Sequence, residues 1–445
     1  MLFSQFRPDR GASQTSAMAN AACRILAASP THPNKRRVLL LQGPVGPFFK
    51  RLQTYLDHNN FCAWRVSFHT ADTLFCNTEK TLQFRGAANE WRAWFHDVLL
   101  FGSFDTVVLF GAERPAHQQA RTIATSAGID VICLEEGYVR PGFITVEHQG
   151  NNASSPLAGQ INDTENGYHC PQVGPIGGNS LRRLFLYGAL YYTVRGLTTL
   201  PRSRRLFHRQ TPLLSEAFYW TRNLARRITQ GPVDFGKIQS LLEHFDKQFY
   251  LIPLQVSADA NLIQFSNGWS SDQLISQSIQ SFRLHAPKGT RLVFKIHPME
   301  RGHHQLKPLI QRVARNNTVS DRIDVIETGS LGLLTRHCAG MITINSTSAF
   351  SAIFHGAPLL VLGRALYAHP VLASIGNGFD AFWTTQHVAS AGTRTAYLNW
   401  IKARALKPGD YYADAGIDEA VKSVFAKLSE AKIAPSERLL LKAAS

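Results

Sequence analysis

The sequence predicts an α/β fold of two Rossmann-like, doubly wound domains facing a cleft. Three observations predict it. Short apolar runs end in glycine-rich or polar turns, and a helical pattern follows each. This alternation occurs twice, on either side of a stretch of different composition. A chain of 445 residues also exceeds one ordinary core, since domains run to roughly 100–200 residues.

The elements follow in order. Residues 1–36 are polar and small, lack an apolar leader core, and read as a disordered tail. Arg37 to Leu41 is a short apolar strand ending in Gln42-Gly43-Pro44-Val45-Gly46-Pro47. Phe48, Phe49, Leu52, Tyr55 and Leu56 then share one helical face. Ala63–Phe68 reads as a strand, Trp91–Leu99 as a helix and Thr106–Phe110 as a buried strand. Ala116–Ala127 is a helix closed by Gly128, and Asp130–Leu134 a strand ending at Glu135-Glu136-Gly137. Residues 37–175 thus form the first domain.

Residues 176–235 form a basic, aromatic-rich helical segment. Residues 236–390 repeat the alternation. The strands are Phe249–Val256, Arg291–Ile296, Asp324–Ile326, Gly340–Ile344 and Pro358–Leu362. The helices are Ser271–Leu284, Pro308–Arg315, Leu331–Cys338 and one opened by Asn345-Ser346-Thr347-Ser348. Two helices complete residues 391–445, at Thr393–Ala403 and Asp418–Ala431.

Composition narrows the class. Hydrophobic residues make up 44% and charged residues 18%, which excludes bulk disorder. The six cysteines are scattered with no C-x-x-C pair, as expected of reduced cytosolic thiols. No apolar run approaches the ~20 residues of a spanning helix. The formal charge of +16 suggests a polyanionic partner. It is not evenly spread, because Leu181–Gln230 holds ten arginines, no lysine and one glutamate, Glu216. Arg182, Arg183, Arg195, Arg202, Arg204 and Arg205 stand there among aromatics. A local patch of this kind suits an anionic membrane surface, worth about 1 kcal/mol per basic residue. It does not suit nucleic acid, for which no recognition motif occurs.

Ligands of doubly wound sheets sit at the carboxyl ends of strands. The Gln42, Gly43 and Gly46 loop is neither a Walker loop nor a dinucleotide fingerprint. It is a tight turn, or a backbone that approaches a sugar or acceptor. Glu135 and Glu136 repel one another, and a carboxylate here suits a base or nucleophile at an anomeric carbon. Arg140 is placed to neutralise one of them. Lys295 and His297 project from one side of a strand end, which suits a phosphate leaving group. Asn345, Ser346 and Thr347 form a strand-to-helix turn, suited to a helix cap or an anion. Gln255 ends a strand with polar atoms for a base or sugar. There is no D-x-D, so a metal-bridged diphosphate donor is not signalled; neither metal nor cofactor is expected.

Together these stretches resemble a family. They are Gln42–Phe49, Phe84-Arg85-Gly86 with Trp91 and Trp94, and Leu109-Phe110-Gly111-x-x-Arg114-Pro115-x-His117. Glu135–Pro141, Leu254-Gln255-Val256, Lys295-Ile296-His297-Pro298 and Asn345-Ser346-Thr347 follow in order. The chain looks like the capsular polysaccharide export and biosynthesis proteins of Gram-negative bacteria, the KpsS/LipB type. The resemblance implies a GT-B-like fold and a retaining β-Kdo glycosyltransferase that uses CMP-Kdo. It implies a phosphatidylglycerol-type lipid acceptor at the inner membrane, and a cytoplasmic, peripheral location. A second Kdo transferase and the capsule export machinery follow as partners. Glu136 matches the catalytic carboxylate, with Glu135 as base or orienter. Lys295 and His297 match the donor-phosphate motif, and Ser346 and Thr347 the donor-phosphate turn. Arg114 and Arg140 fall to the acceptor side. Gly142 and the stretch Ala258-Asp259-Ala260-Asn261 depart from the pattern, which leaves Asp259 without an assigned role. The competing reading is a non-catalytic protein that binds capsule polysaccharide and escorts it to export.

Overall fold

A computed structural model describes residues 35–77, 79–139, 141–161, 179–198, 213–300, 305–376 and 378–430, with backbone alone over 213–220. The N-terminal tail therefore lies outside the described residues, as do Arg140, Arg202, Arg204 and Arg205. The chain forms two compact units. One comprises residues 1–151, 172–210 and 407–445, the other 152–171 and 211–406. The basic segment is thus divided near residue 210, and the two C-terminal helices part at Leu406.

In the first unit the strands are β1 (Arg36–Leu40), β2 (Phe61–Ser67), β3 (Thr81–Gln83), β4 (Thr106–Phe110), β5 (Asp130–Glu136) and β6 (Phe143–His148). Its helices are α1 (Phe48–His58), α2 (Trp91–Gly102), α3 (Pro115–Ser126) and α4 (Ser180–Leu197), joined by a C-terminal helix, Asp414–Glu430. The sheet order is Leu406–Pro408, β6, β5, β4, β1, β2, β3. Strands β5, β4, β1, β2 and β3 pair in parallel, while β6 turns back antiparallel on β5.

Strand alternation explains why helices cover both faces. Val38 and Leu40 point to the side of α1, with Ile132, Leu134, Ile417 and Val421. Leu39 and Leu41 point the other way, towards Trp91, Phe95 and Ala120 of α2 and α3, with Cys133. Each buried aliphatic or aromatic side chain contributes about 1.5–3 kcal/mol. Sequence alternation signals neither β3 nor β6, because β3 is a three-residue edge strand and β6 buries the polar Thr145 and Glu147 beside Ile144 and Val146. Strand β6 matters, because it extends β5 through both glutamates, Glu135 opposite Thr145 and Glu136 opposite Ile144.

The second unit holds β7 (Phe249–Pro253), β8 (Arg291–Lys295), β9 (Ile323–Ile326), β10 (Gly340–Thr343), β11 (Leu359–Val361) and β12 (Ser374–Ile375). All the paired strands run parallel, in the order β12, β11, β10, β7, β8, β9. Helices α5 (Leu213–His244), α6 (Ser271–His285), α7 (Leu306–Asn316), α8 (Leu331–His337), α9 (Ala349–His355) and α10 (Ala391–Ala405) belong to it. Tyr250, Ile252, Phe294 and Ile342 pack on Ile275, Ile279 and Phe282 of α6. Both units are therefore doubly wound α/β layers, as the sequence predicts. Among the described residues no helix is long and apolar enough to cross a membrane.

Candidate functional site

The loop after β1 opens a pocket wholly within the first unit. Gln42, Gly43, Pro44, Val45 and Gly46 line it with Arg65, Asp72, Phe75, Arg114, Tyr191, Tyr192 and Arg195. Gly46 has φ +109°, and a Cβ there would lie 2.7 Å from the Tyr187 ring, so only glycine lets α4 approach the loop.

Among the described lining residues Asp72 is the one carboxylate, and four hydrogen bonds engage its oxygens. Oδ1 accepts from Gln42 Nε2 at 2.9 Å and from the Tyr191 hydroxyl at 3.0 Å. Oδ2 accepts from the backbone N–H of Phe68 at 2.8 Å and of His69 at 3.0 Å. Burial, followed by the neighbouring Asp72 charge, pushes the Tyr191 hydroxyl well above its ordinary value, so it stays a donor.

The cations are less engaged. Arg65 is 4% exposed; its Nη1 donates to Phe75 O at 2.6 Å, and its buried Nε has no hydrogen-bond partner. Arg114 lies over the Phe110 ring at 5.0 Å. Among the described residues neither arginine has a carboxylate within ion-pair distance.

The sequence places Arg195 at a membrane surface. It is instead 8% exposed, with its guanidinium 5.9 Å from the Tyr192 ring centroid and in the pocket wall. Arg183 also faces inward, bonding Asp414 at 2.6 Å, and of the α4 arginines Arg182 alone is exposed. The outward side of α4 is apolar, with Leu181, Leu186, Leu190 and Leu197 exposed.

Glu135 and Glu136 project to opposite faces of β5, as adjacent strand residues must. Glu136 Oε1 accepts from the Tyr412 hydroxyl at 2.9 Å, and Tyr411 donates to Glu135 O at 3.1 Å. Glu135 lies on the Arg114 side, because a Cβ at Gly111 would sit 3.4 Å from Glu135 Oε2 and 3.1 Å from Arg114 Nε. Beneath them His117 is buried and hydrogen-bonds the carbonyl oxygens of Phe110 and Gly111 at 3.0 and 3.1 Å. Burial, with the nearby Arg114 charge, lowers its pKa to about 3.

At the strand ends of the second unit, Gln255 and Asn345 lock together. Gln255 Nε2 donates to Asn345 Oδ1 at 2.8 Å, and Asn345 N donates to Gln255 Oε1 at 3.2 Å. Both amides are buried, so they join the ends of β7 and β10. Ser346 and Thr347 are part-exposed. Ser346 Oγ accepts from Ser348 Oγ at 2.9 Å, and Tyr367 fixes Ser346 O at 2.5 Å. No side chain caps α9, so the cap expected of this turn does not form. Lys295 is buried at the end of β8, while His297 is exposed with Nδ1 accepting from Met299 N at 3.1 Å.

Three groups escape sequence reasoning. Arg65 and Asp72 sit in a buried strand and its following turn, with no motif spacing to mark them. Glu300 is buried behind the His297 loop, where it accepts from Ser257 Oγ at 2.7 Å. Asp259 is a local cap, accepting from Asn261 N at 2.9 Å, and burial raises its pKa.

Comparison with known proteins gives the family. The family model "Capsule polysaccharide biosynthesis protein" matches residues 105–412. The chain is 33% identical over 353 residues to the capsule polysaccharide export protein KpsS of Escherichia coli, covering 78% of this chain and 90% of that one. It is 28% identical over 358 residues to the capsule polysaccharide modification protein LipB of Neisseria meningitidis serogroup A, covering 78% and 84%. Among solved structures, the β-Kdo 2,7 transferase KpsC of Thermosulfurimonas dismutans aligns at 13% identity and a TM-score of 0.39, over 89% of this chain and all of that one. The match over residues 105–412 runs from β4 through Tyr412 and takes in both glutamates, Lys295, His297 and the Ser346 turn; the chain belongs to the capsule polysaccharide biosynthesis family.

Proposed function

We propose that this protein is a retaining β-Kdo glycosyltransferase that moves Kdo from CMP-Kdo to a phosphatidylglycerol-type lipid. The observation that carries the reading is Glu136, a carboxylate at the carboxyl end of β5 held by Tyr412. Its strand end is where such sheets bind ligands.

Glu136 attacks the anomeric carbon of the donor. The bond from that carbon to the phosphate oxygen breaks, and CMP leaves with the electron pair. Lys295 and His297 stabilise the charge that grows on this phosphate, with Ser346 and Thr347 donating from the adjoining turn. An acceptor hydroxyl then displaces Glu136 and forms the glycosidic bond, and Glu135, on the Arg114 side, takes its proton. Two inversions give net retention. Gln255 and Asn345 hold the donor turn in register. Arg114, the Gln42–Gly46 loop and Arg140 serve the acceptor, and no metal or cofactor takes part. The protein works at the cytoplasmic face of the inner membrane, with a second Kdo transferase and the export machinery downstream.

The test is the purified full chain with CMP-Kdo and lysophosphatidylglycerol. A Kdo-lipid product and stoichiometric CMP are expected. No product and no CMP release with this acceptor would overturn the reading. A second reading has one observation in its favour: the Escherichia coli relative carries the name of an export protein. A non-catalytic escort would bind capsule polymer and release no CMP.

A further inference from the structure

We infer that the outward face of α4, which carries Arg182, Leu186, Leu190 and Leu197, docks in the plane of an anionic bilayer surface. This rests on the reading above, in which the acceptor is a membrane lipid.

Packing fixes which side of α4 faces out. Leu184 and Tyr187 pack on the first unit's core. The Tyr191 hydroxyl donates to Asp72 at 3.0 Å, and the Ser180 hydroxyl donates to Asp410 at 2.7 Å. Arg183 pairs with Asp414, and Arg195 is buried. The helix cannot turn its other side inward without losing these contacts. That other side carries Arg182, Leu186, Leu190 and Leu197, whose spacing sets them on one face. The three leucines are 63%, 46% and 78% exposed. A single exposed leucine is ordinary. Leucines at helical spacing form a continuous apolar strip, and such a strip marks an interaction surface.

Charge selects the partner. The chain from Leu181 to Ser215 holds seven arginines and no aspartate or glutamate. A second copy of this chain would bring one arginine-rich segment against another across a two-fold contact. Anionic headgroups instead meet the exposed Arg182, while the acyl region takes up the leucines. Helix α4 has 18 residues, with arginines towards both ends, and among the described residues no helix is long and apolar enough to cross a membrane. A helix of this kind lies in the interface. The leucines supply most of the hold, because Arg183 and Arg195 are turned to the protein.

The experiment is co-sedimentation of the full-length protein with vesicles of phosphatidylcholine, alone or mixed with phosphatidylglycerol. The mixed vesicles are expected to bind it more tightly. Leu186→Ser combined with Leu190→Ser should weaken that binding about ten-fold or more. Arg182→Gln should weaken it about five-fold and leave the neutral vesicles unaffected. Leu284→Ser, at a leucine 63% exposed on α6 of the second unit, should change nothing. These side chains are exposed, so melting curves should match the parent and show that each variant folds.

Binding that ignores the double leucine variant overturns the proposal, as does equal binding to both vesicles or binding to neither. A parent dimer that the leucine variant splits, seen by analytical ultracentrifugation without loss of vesicle binding, assigns the face to a second copy and also overturns it. Failure of the transferase reading looks different: the vesicles bind through α4, yet CMP-Kdo is not consumed with lysophosphatidylglycerol.

Discussion

The strand ends of the two units share a topology and use it differently. In the first unit the ends surround a pocket lined by Arg65, Arg114 and Arg195, whose carboxylate, Asp72, is satisfied by Gln42, Tyr191 and two backbone N–H groups. In the second unit polar side chains just past the ends of β7 and β10 bond each other, Gln255 to Asn345, and tie the two central strands together. A polar residue at a strand end is thus not by itself a ligand group. What decides it is whether its hydrogen-bonding capacity is already used within the fold.

The largest test of this contrast is at β5. If Glu136 is the nucleophile, Glu136→Gln should lower kcat by about 10⁴–10⁶-fold, the range seen when a member of a covalent-catalysis set is removed. Tyr412→Phe removes the hydrogen bond at Oε1 and should cost about ten-fold in kcat, with KM for CMP-Kdo little changed. A Glu135→Gln variant that loses more than Glu136→Gln would reverse the assignment. Next comes the donor side. Lys295→Met should lower kcat about 10²–10³-fold, the usual loss for one donor to a developing anion. A change in KM alone would make Lys295 a binding residue without a transition-state role.

The fold was largely legible, because strands buried on both faces read as continuous apolar runs, as Thr106–Phe110 does, and their helices show a clean apolar stripe. Strand β6 was not, since Phe143–His148 buries Thr145 and Glu147 between its apolar residues and follows a turn in which Gly142 has φ +96°. The strand-end places of Glu135, Glu136 and Lys295 were legible, because each follows directly on a buried apolar run. Arg65 and Asp72 were not, because their meaning comes from Tyr191 and Arg195, more than a hundred residues away in sequence. Arg195 shows the converse. Charge counting placed it at a surface, and packing of α4 on the loop of Gly46 turned it inward.

If Gln255 and Asn345 serve the second unit's stability, breaking their pair should be felt in unfolding before it is felt in binding. Asn345→Ala strands Gln255's buried amide and should cost about 1–3 kcal/mol. Urea unfolding of the variant measures this. The exposed His297→Ala should leave the midpoint unchanged while lowering kcat. A full-strength midpoint in Asn345→Ala would return these amides to ligand binding.

The smallest expected effect contrasts two histidines. His297 is exposed in the second unit, whereas His117 is buried and neutral beneath the first unit's strand ends. Its native pKa is about 3, against an ordinary 6.5 when the chain unfolds. Between those values the unfolded chain holds a proton that the native state refuses. His117 therefore contributes no penalty above pH 6.5, and stability falls as pH drops from there towards 3. The slope is at most about 1.4 kcal/mol per pH unit. His117→Asn keeps an N–H donor for the Phe110 and Gly111 carbonyls and removes the titration. Urea midpoints at pH 7 and pH 5 should therefore differ less in the variant than in the parent. Equal differences would mean that His117 protonates in the folded protein, with its hydrogen bonds to the strand end intact.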